Sequence, residues 1–323
     1  MQARTWIKTA AAIAAVALCG SAAASDNYPS KPVRIIVGFQ AGGPTDVVAR
    51  LVAKALQDEL KSAFVVENKV GATSNIASEM VAAAKPDGYT LLLAAAPLTM
   101  NKFVFPKQKF DPLASFEPVS KVSSAPGVLA ASPKLNVRSY KEFEELVKKK
   151  PGELSYGTTG AGGTQHMATL RLEQLTGMRM LHVPYSGSSG VLNDLIAGVV
   201  DVAFMTSTGA MPNLEAGRVR PLAVAGPVRL PGLPSVPTFA EIGMPGMVSD
   251  SWNGLLAPAG TPKPIVDRLA AVVVKAVKSK EFQDTLIPQG AVLIGNSPAE
   301  FKAELQTEVV HWAEQFKKIR IEK

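Results

Sequence analysis

The sequence predicts an α/β protein arranged as two lobes. Three observations carry this. β-rich apolar runs alternate with segments of helical period along most of the chain. The strand runs are nearly continuous in Val, Ile and Leu, as strands buried on both faces of a parallel sheet must be. One β-α-β-α-β pattern occurs twice, the second copy starting about 120 residues after the first and without sequence identity to it.

In the first copy, Val33 to Phe39 reads as a strand. Thr45 to Lys61 reads as a helix, because Val48, Leu51, Val52, Ala55 and Leu56 repeat at i, i+3, i+4. Phe64 to Glu67 is a short strand, Ser74 to Ala84 a helix closed by Pro86-Asp87-Gly88, and Thr90 to Ala95 the third strand. Such a unit implies parallel pairing with right-handed crossovers. The second copy reads Leu154 to Tyr156, Thr164 to Leu175, Met180 to Val183, Val191 to Ala197 and Val202 to Met205. Between the copies a helix is expected to end at Lys148-Lys149-Lys150, where cations suit the helix dipole. Pro227 to Gly246, rich in Pro and Gly, reads as a wrapping connection. Helices over Lys263 to Val277, Glu281 to Leu286 and Pro298 to Lys317 complete the chain.

Residues 1–24 are set apart. Arg4 and Lys8 precede the apolar run Ala10 to Leu18, and Ala22-Ala23-Ala24 offers small residues for cleavage. That is a secretory signal pattern, cut after Ala24, and too short to span a bilayer. Cys19 invites a lipoprotein reading, but Leu18 stands where that signal wants a small residue. The chain after Ala24 has no cysteine, so its stability rests on its core, which 47% apolar residues can supply. No later segment is apolar for long enough to cross a membrane. Without Arg4 and Lys8 the formal charge falls from +7 to +5. The excess is scattered and few aromatics interleave with it, which argues against nucleic acid. A mild positive field suits a small anion.

Glycines crowd the strand-to-helix joints. The first reads Phe39-Gln40-Ala41-Gly42-Gly43-Pro44-Thr45-Asp46. Glycines admit positive φ and close approach of a ligand, Pro44 suits the first helical turn, and free N–H groups at a helix start form an anion site. A plain tight turn before a capped helix reads equally well, with Asp46 holding the loop and capping. The second joint, Gly157 to Thr164, is near a phosphate loop, but Gly163 stands where the lysine must be, so nucleotide hydrolysis is disfavoured. The third joint brings Tyr185, Ser186, Ser188 and Ser189, one residue short of a nucleophile elbow, with a helix cap the favoured reading of Ser189. A fourth, around Gly71, Thr73, Ser74 and Asn75, reads as a helix cap.

The catalytic inventory is thin. His166 is placed beside the second joint, His182 in a strand between Leu181 and Val183, and His311 on the last helix. No His, Cys or carboxylate cluster has metal-ligand spacing, and no acid pair stands out. Exported, two-lobed and without a catalytic set, the chain reads as a binding protein and not an enzyme, with no cofactor.

The stretch "YPSKPVRIIVGFQAGGPTDVVARLVA" resembles the start of the mature Bug-type receptors, the periplasmic solute-binding proteins of tripartite tricarboxylate transporters. The likeness continues through "VENKVGATSNIASEMVAAAKPDGYTLLLA", "LSYGTTGAGGTQHMATLRLEQLTG", "HVPYSGSSGVLNDLIAGVVDVAF" and "WNGLLAPAGTP", covering essentially the whole mature chain in order. It implies a two-lobed, type II periplasmic-binding-protein-like fold, each lobe a mainly parallel sheet flanked by helices. Lobe one would be residues 25–124 plus 247–323 and lobe two 125–246, with crossings near Ser124 and Met247. It also implies a monomer that captures a small carboxylate by closing and delivers it to membrane transporter subunits. The family's ligands include di- and tricarboxylates, acidic amino acids, aromatic acids and some neutral compounds.

The site the resemblance implies is made of Phe39, Gly42, Gly43, Pro44, Thr45 and Asp46, then Ala95, Ala96 and Pro97. From the second lobe come Thr158, Thr159, Gly160, Gly162, Gly163, Thr164 and His166, then Tyr185 and Ser186, with Thr206 and Ser207 completing the wall. Many relatives carry Asp-Asn where Thr206-Ser207 stands, and the Ala-Ala-Ala-Pro loop ending at Pro97 has few hydroxyls. Both departures argue against a citrate-like or aspartate-like ligand and for one with an apolar or aromatic body and one carboxylate. Two other outputs stay open: a sensor signalling to a membrane kinase, and a secreted hydrolase using Ser186 or Ser188.

Overall fold

Every apolar run read as a strand in the two copies is a strand. The computed structural model describes residues 28–318; the leader expected over residues 1–24, with Cys19, lies outside them. The first copy is β1 (Val33–Val37), α1 (Pro44–Leu60), β2 (Phe64–Asn68), α2 (Asn75–Ala82) and β3 (Thr90–Ala95). β1 lies between β2 and β3 and is parallel to both, with Ile35 opposite Val66 and Leu91. Ile35 and Ile36 point to opposite faces and both are fully buried, which is why the run lacks a polar alternation.

A short helix, α3 (Pro97–Val104), follows β3, and then β4 (Phe116–Ala131). After α4 (Tyr140–Lys149), capped by Ser139 through the Glu142 N–H and ending in Lys148 and Lys149, comes the second copy. It is β5 (Ser155–Thr158), α5 (Thr164–Thr176), β6 (Leu181–Pro184), α6 (Ser188–Ala197) and β7 (Val202–Thr206). The chain continues through α7 (Ser207–Glu215), β8 (Arg220–Ala225), β9 (Asp250–Pro258), α8 (Lys263–Ala276), α9 (Lys280–Leu286), β10 (Val292–Leu293) and α10 (Pro298–Lys318). Residues 227–246 wrap without a helix and touch the sheet at a Val224–Thr238 bridge.

The strands form one mixed sheet in the order β2-β1-β3-β9-β4-β7-β5-β6, with β8 and β10 also pairing with β4. The two outer wings, β2-β1-β3 and β7-β5-β6, are parallel. The centre is antiparallel: β9 runs against both β3 and β4, and β4 against β7. The sheet is therefore parallel only in its wings. β4 joins the two, since Phe116 to Pro126 pair with β9 while Gly127 to Ala131 pair with β7 and β8. Pro118, Pro126 and two breaks in register interrupt β4, so its residues show no clean period in the sequence.

The buried apolar side chains follow the wings. One pair of clusters packs β1, β3 and β9 against α1 and α8 on one face and against α2, α3 and α10 on the other. A second pair packs β4, β7 and β8 against α4 and α5 on one face and against α6 and α7 on the other. Met167 of α5 belongs to the first-wing cluster, so the wings touch through apolar contact as well as through the sheet.

Candidate functional site

The first and second glycine joints fold as twin loops, offset by 120 residues in the sequence. Gly42 has φ +77° and Gly162 φ +73°, a left-handed turn that glycine makes without strain. In each, the next glycine is extended and occupies the N-cap, and its N–H closes the turn on the carbonyl three residues back, Gln40 in one and Gly160 in the other. In each, the left-handed N–H donates to a side chain four residues on. The Gly42 N–H meets Asp46 Oδ2 at 2.9 Å, and the Gly162 N–H meets His166 Nδ1 at 2.9 Å. Neither N-cap residue supplies a side-chain cap, so both helix starts keep N–H groups for an external partner.

The holding side chains are themselves held. Asp46, 2% exposed, accepts from Arg50 at 2.8 and 3.1 Å and from Asn68 at 2.9 Å. Burial alone would raise its pKa, but Arg50, the Gly42 N–H and Asn68 outweigh it and keep the carboxyl below its ordinary value. His166 is neutral: burial, and then His182, push it down to about 3. Its ring stacks on His182 at 4.0 Å, and His182 Nε2 lies 2.7 Å from Thr158 Oγ1.

A cavity of about 40 Å³ lies between the twin loops. Five helices bring their N-terminal ends to it: α1 through Gly43, Pro44 and Thr45, α3 through Ala95 and Pro97, α5 through Thr164 and Gln165, α6 through Ser188 and Ser189, and α7 through Thr206. Phe39, Gln40 and Thr159 come from the joints, and Ser251 and Asn253 from β9. None of the lining side chains is charged. Seven carry hydroxyls and three carry amides, so the walls offer neutral donors and five positive helix ends.

Of the residues expected at the site, Phe39, Gly43, Pro44, Thr45, Ala95, Pro97, Thr159, Thr164 and Thr206 line this cavity. The others lie off its wall. Gly42, Asp46 and His166 brace the loops as described, and Thr158 faces His182. Ala96 is buried in the core, and Ser207 is fully buried with its hydroxyl toward the Gly290 carbonyl. Tyr185 donates to Asp194 at 2.7 Å; burial, then Asp194, push it up to about 12. Ser186 Oγ accepts from Gln40 Nε2 at 3.1 Å, which ties the third joint to the first. Gly160, Gly162 and Gly163 face side chains of the first wing. A Cβ at Gly160 would meet Thr73 Oγ1 at 2.7 Å, and one at Gly162 would meet Val104 Cγ2 at 2.1 Å. These glycines let the two wings come together. The Thr73 hydroxyl donating to the Ala161 carbonyl at 3.3 Å spans the same gap.

Sequence reading missed Gln40, Ser188, Ser189, Ser251 and Asn253 as ligand-lining residues, while Gln165 lies within the stretch Thr158 to His166 expected there. Ser251 and Asn253 carried a signal: two polar residues with a spacing of two, flanking Trp252, at the head of an apolar strand. They face the cavity while Trp252 turns away and donates to Glu308 at 2.8 and 3.0 Å. Among the described residues no group of His, Cys, Asp or Glu could hold a metal ion, and no helix is long and apolar enough to cross a membrane.

Comparison with known proteins agrees with this geometry. The chain matches the family model described as tripartite tricarboxylate transporter family receptor over residues 48–320. It is 34% identical over 302 residues to protein BugT of Bordetella pertussis, covering 92% of this chain and 93% of that one. Among solved structures, an R. palustris protein with adipate is 34% identical with TM-score 0.87, covering 90% of this chain and 97% of the other. MatC from Rhodopseudomonas palustris, with bound malate, is 32% identical with TM-score 0.84, covering 90% and 100%. A mixed sheet, twin helix-headed loops around one uncharged cavity and matches along almost the whole described chain lead to one conclusion: the protein belongs to the TctC/Bug family of periplasmic solute-binding receptors of tripartite tricarboxylate transporters.

Proposed function

We propose that the protein captures a small carboxylate between two closing lobes and delivers it to membrane subunits of a tripartite tricarboxylate-type transporter. The observation that carries this is the convergence of five helix N-termini on one cavity without a charged side chain. Each helix end contributes about 0.3–1 kcal/mol toward an anion, more when it is partly buried. Five together supply several kcal/mol, enough to replace a lysine or arginine. A cationic group finds no counter-charge on these walls, which disfavours acidic amino acids. Phe39, Pro44, Ala95 and Pro97 give the lining apolar surface for the ligand's hydrocarbon body, aliphatic or aromatic. The two R. palustris proteins hold adipate and malate, both small carboxylates.

Residues 25–124 with 247–323 would form one lobe and 125–246 the other. β4 and β9 would be the strands at the crossing, in keeping with the separation of the cores. Closure adds the second lobe's donors and removes water, which strengthens each hydrogen bond to the anion. The receptor would act as a monomer, exported by the segment ending at Ala24. A thermal-shift screen of the mature protein, unfolded and refolded to strip carried-over ligand, tests this. Dicarboxylates, citrate, aromatic acids, acidic amino acids and nicotinamide form the panel. An acid near 100 times its dissociation constant is expected to stabilise by about 2.7 kcal/mol. A response only to the neutral compound would overturn the anion site.

A further inference from the structure

We infer that Asn253 selects a carboxylate that carries a neutral hydrogen-bond donor, above all a hydroxyl, beside its anionic end. This rests on the carboxylate reading above and goes beyond it. Asn253 sits in the middle of the sheet, opposite Ala95 of β3 and Ser123 of β4, and is 4% exposed. Its side chain faces the cavity, and its Oδ1 is buried without a hydrogen-bond partner. The Thr164 hydroxyl, at the first position of α5, which also lines the cavity, is likewise buried without a partner.

Buried acceptors left unpaired are costly, so native cores rarely keep them. A carboxylate only accepts hydrogen bonds and cannot satisfy Asn253 Oδ1. Whichever way the amide is turned, it presents one acceptor that needs a donor. An ammonium donor is disfavoured because no carboxylate lines the cavity to balance it. A hydroxyl on the ligand can donate to the amide oxygen while the carboxylate beside it accepts from the cavity's donors. A site built to pair a hydroxyl discriminates strongly against the analogue lacking it, since its own polar groups are then stranded.

The test compares acids that differ only by a hydroxyl: succinate with L- and D-malate, propionate with lactate, and phenylacetate with mandelate. Calorimetry on the refolded mature protein reads each dissociation constant. For the pair whose body fits, the hydroxy acid is expected to bind at least about tenfold tighter. In Asn253→Ala that preference is expected to shrink to about twofold. Equal affinity within every bound pair overturns the inference and leaves the carboxylate reading standing. A preference that survives in Asn253→Ala also overturns it. Silence from all the acids overturns both.

Discussion

Asp46 and His166 do the same job with different chemistry. Each accepts the N–H of the left-handed glycine four residues before it. Asp46 does so as a carboxylate balanced by Arg50, and His166 as a neutral ring. Asp46→Ala strands the Gly42 N–H, while the half-exposed Arg50 keeps water and Asn68 keeps the Phe39 carbonyl. Denaturant unfolding should show a loss of about 1–3 kcal/mol, with weaker ligand binding, because the loop loses its brace. Titration gives a second test. Burial and His182 hold His166 at about 3 against an ordinary 6.5. The unfolded chain therefore takes a proton that the native ring refuses, and stability falls as pH drops from about 6.5 toward 3. Glu308 acts in the opposite sense. Burial raises it from 4.5 to about 7 despite the Trp252 donor. The native state keeps a proton there that the unfolded chain has released, so this contribution is lost as pH rises from about 4.5 to 7. Glu308→Gln keeps an acceptor for Trp252 and removes the titration. Its melting temperature, relative to the parent, should rise between pH 5 and pH 8; a constant difference would contradict the assignment. Asp46 as a loop brace was legible, because it is a lone carboxylate beside a glycine pair. Glu308 was not, because its partner Trp252 lies 56 residues away.

The glycine loops show where an element's local sequence stops being informative. That Gly42 and Gly162 head helices was readable from the strand, the glycine pair and the helical period that follows. Two different reasons for glycine were not separable. Gly42 has open space where a Cβ would stand, so φ alone demands glycine. Gly162 has Val104 in that space, contributed by α3 of the other wing, and no local pattern reports a contact 58 residues away. Gly162→Ala is therefore expected to act on closure. It should cost more than about 1 kcal/mol in stability and weaken ligand binding by about tenfold or more, since the clash is relieved by parting the wings. Adding Val104→Ala should restore much of the affinity. Binding unaffected by Gly162→Ala would show that the two wings do not meet this way in the bound state. β4 escaped detection for a different reason: Pro118, Pro126 and its register breaks hide a sixteen-residue strand that carries the sheet from one wing to the other.

At the scale of the whole molecule, the duplicated β-α-β-α-β pattern has a consequence that neither copy has alone. Each wing aims helix starts at the same point, and the antiparallel centre sets them face to face. The central claim is that this convergence recognises negative charge with neutral donors. The most direct measurement is calorimetric titration of the refolded mature protein with a carboxylate found in the thermal screen and with its primary amide, matched in shape. The acid should bind with the heat and one-to-one stoichiometry of a single closed site, and the amide at least about a hundredfold more weakly, since it brings no charge to the five helix ends. An amide that binds as tightly as the acid would mean that the cavity reads a carbonyl and not an anion, and the account of the site would fail.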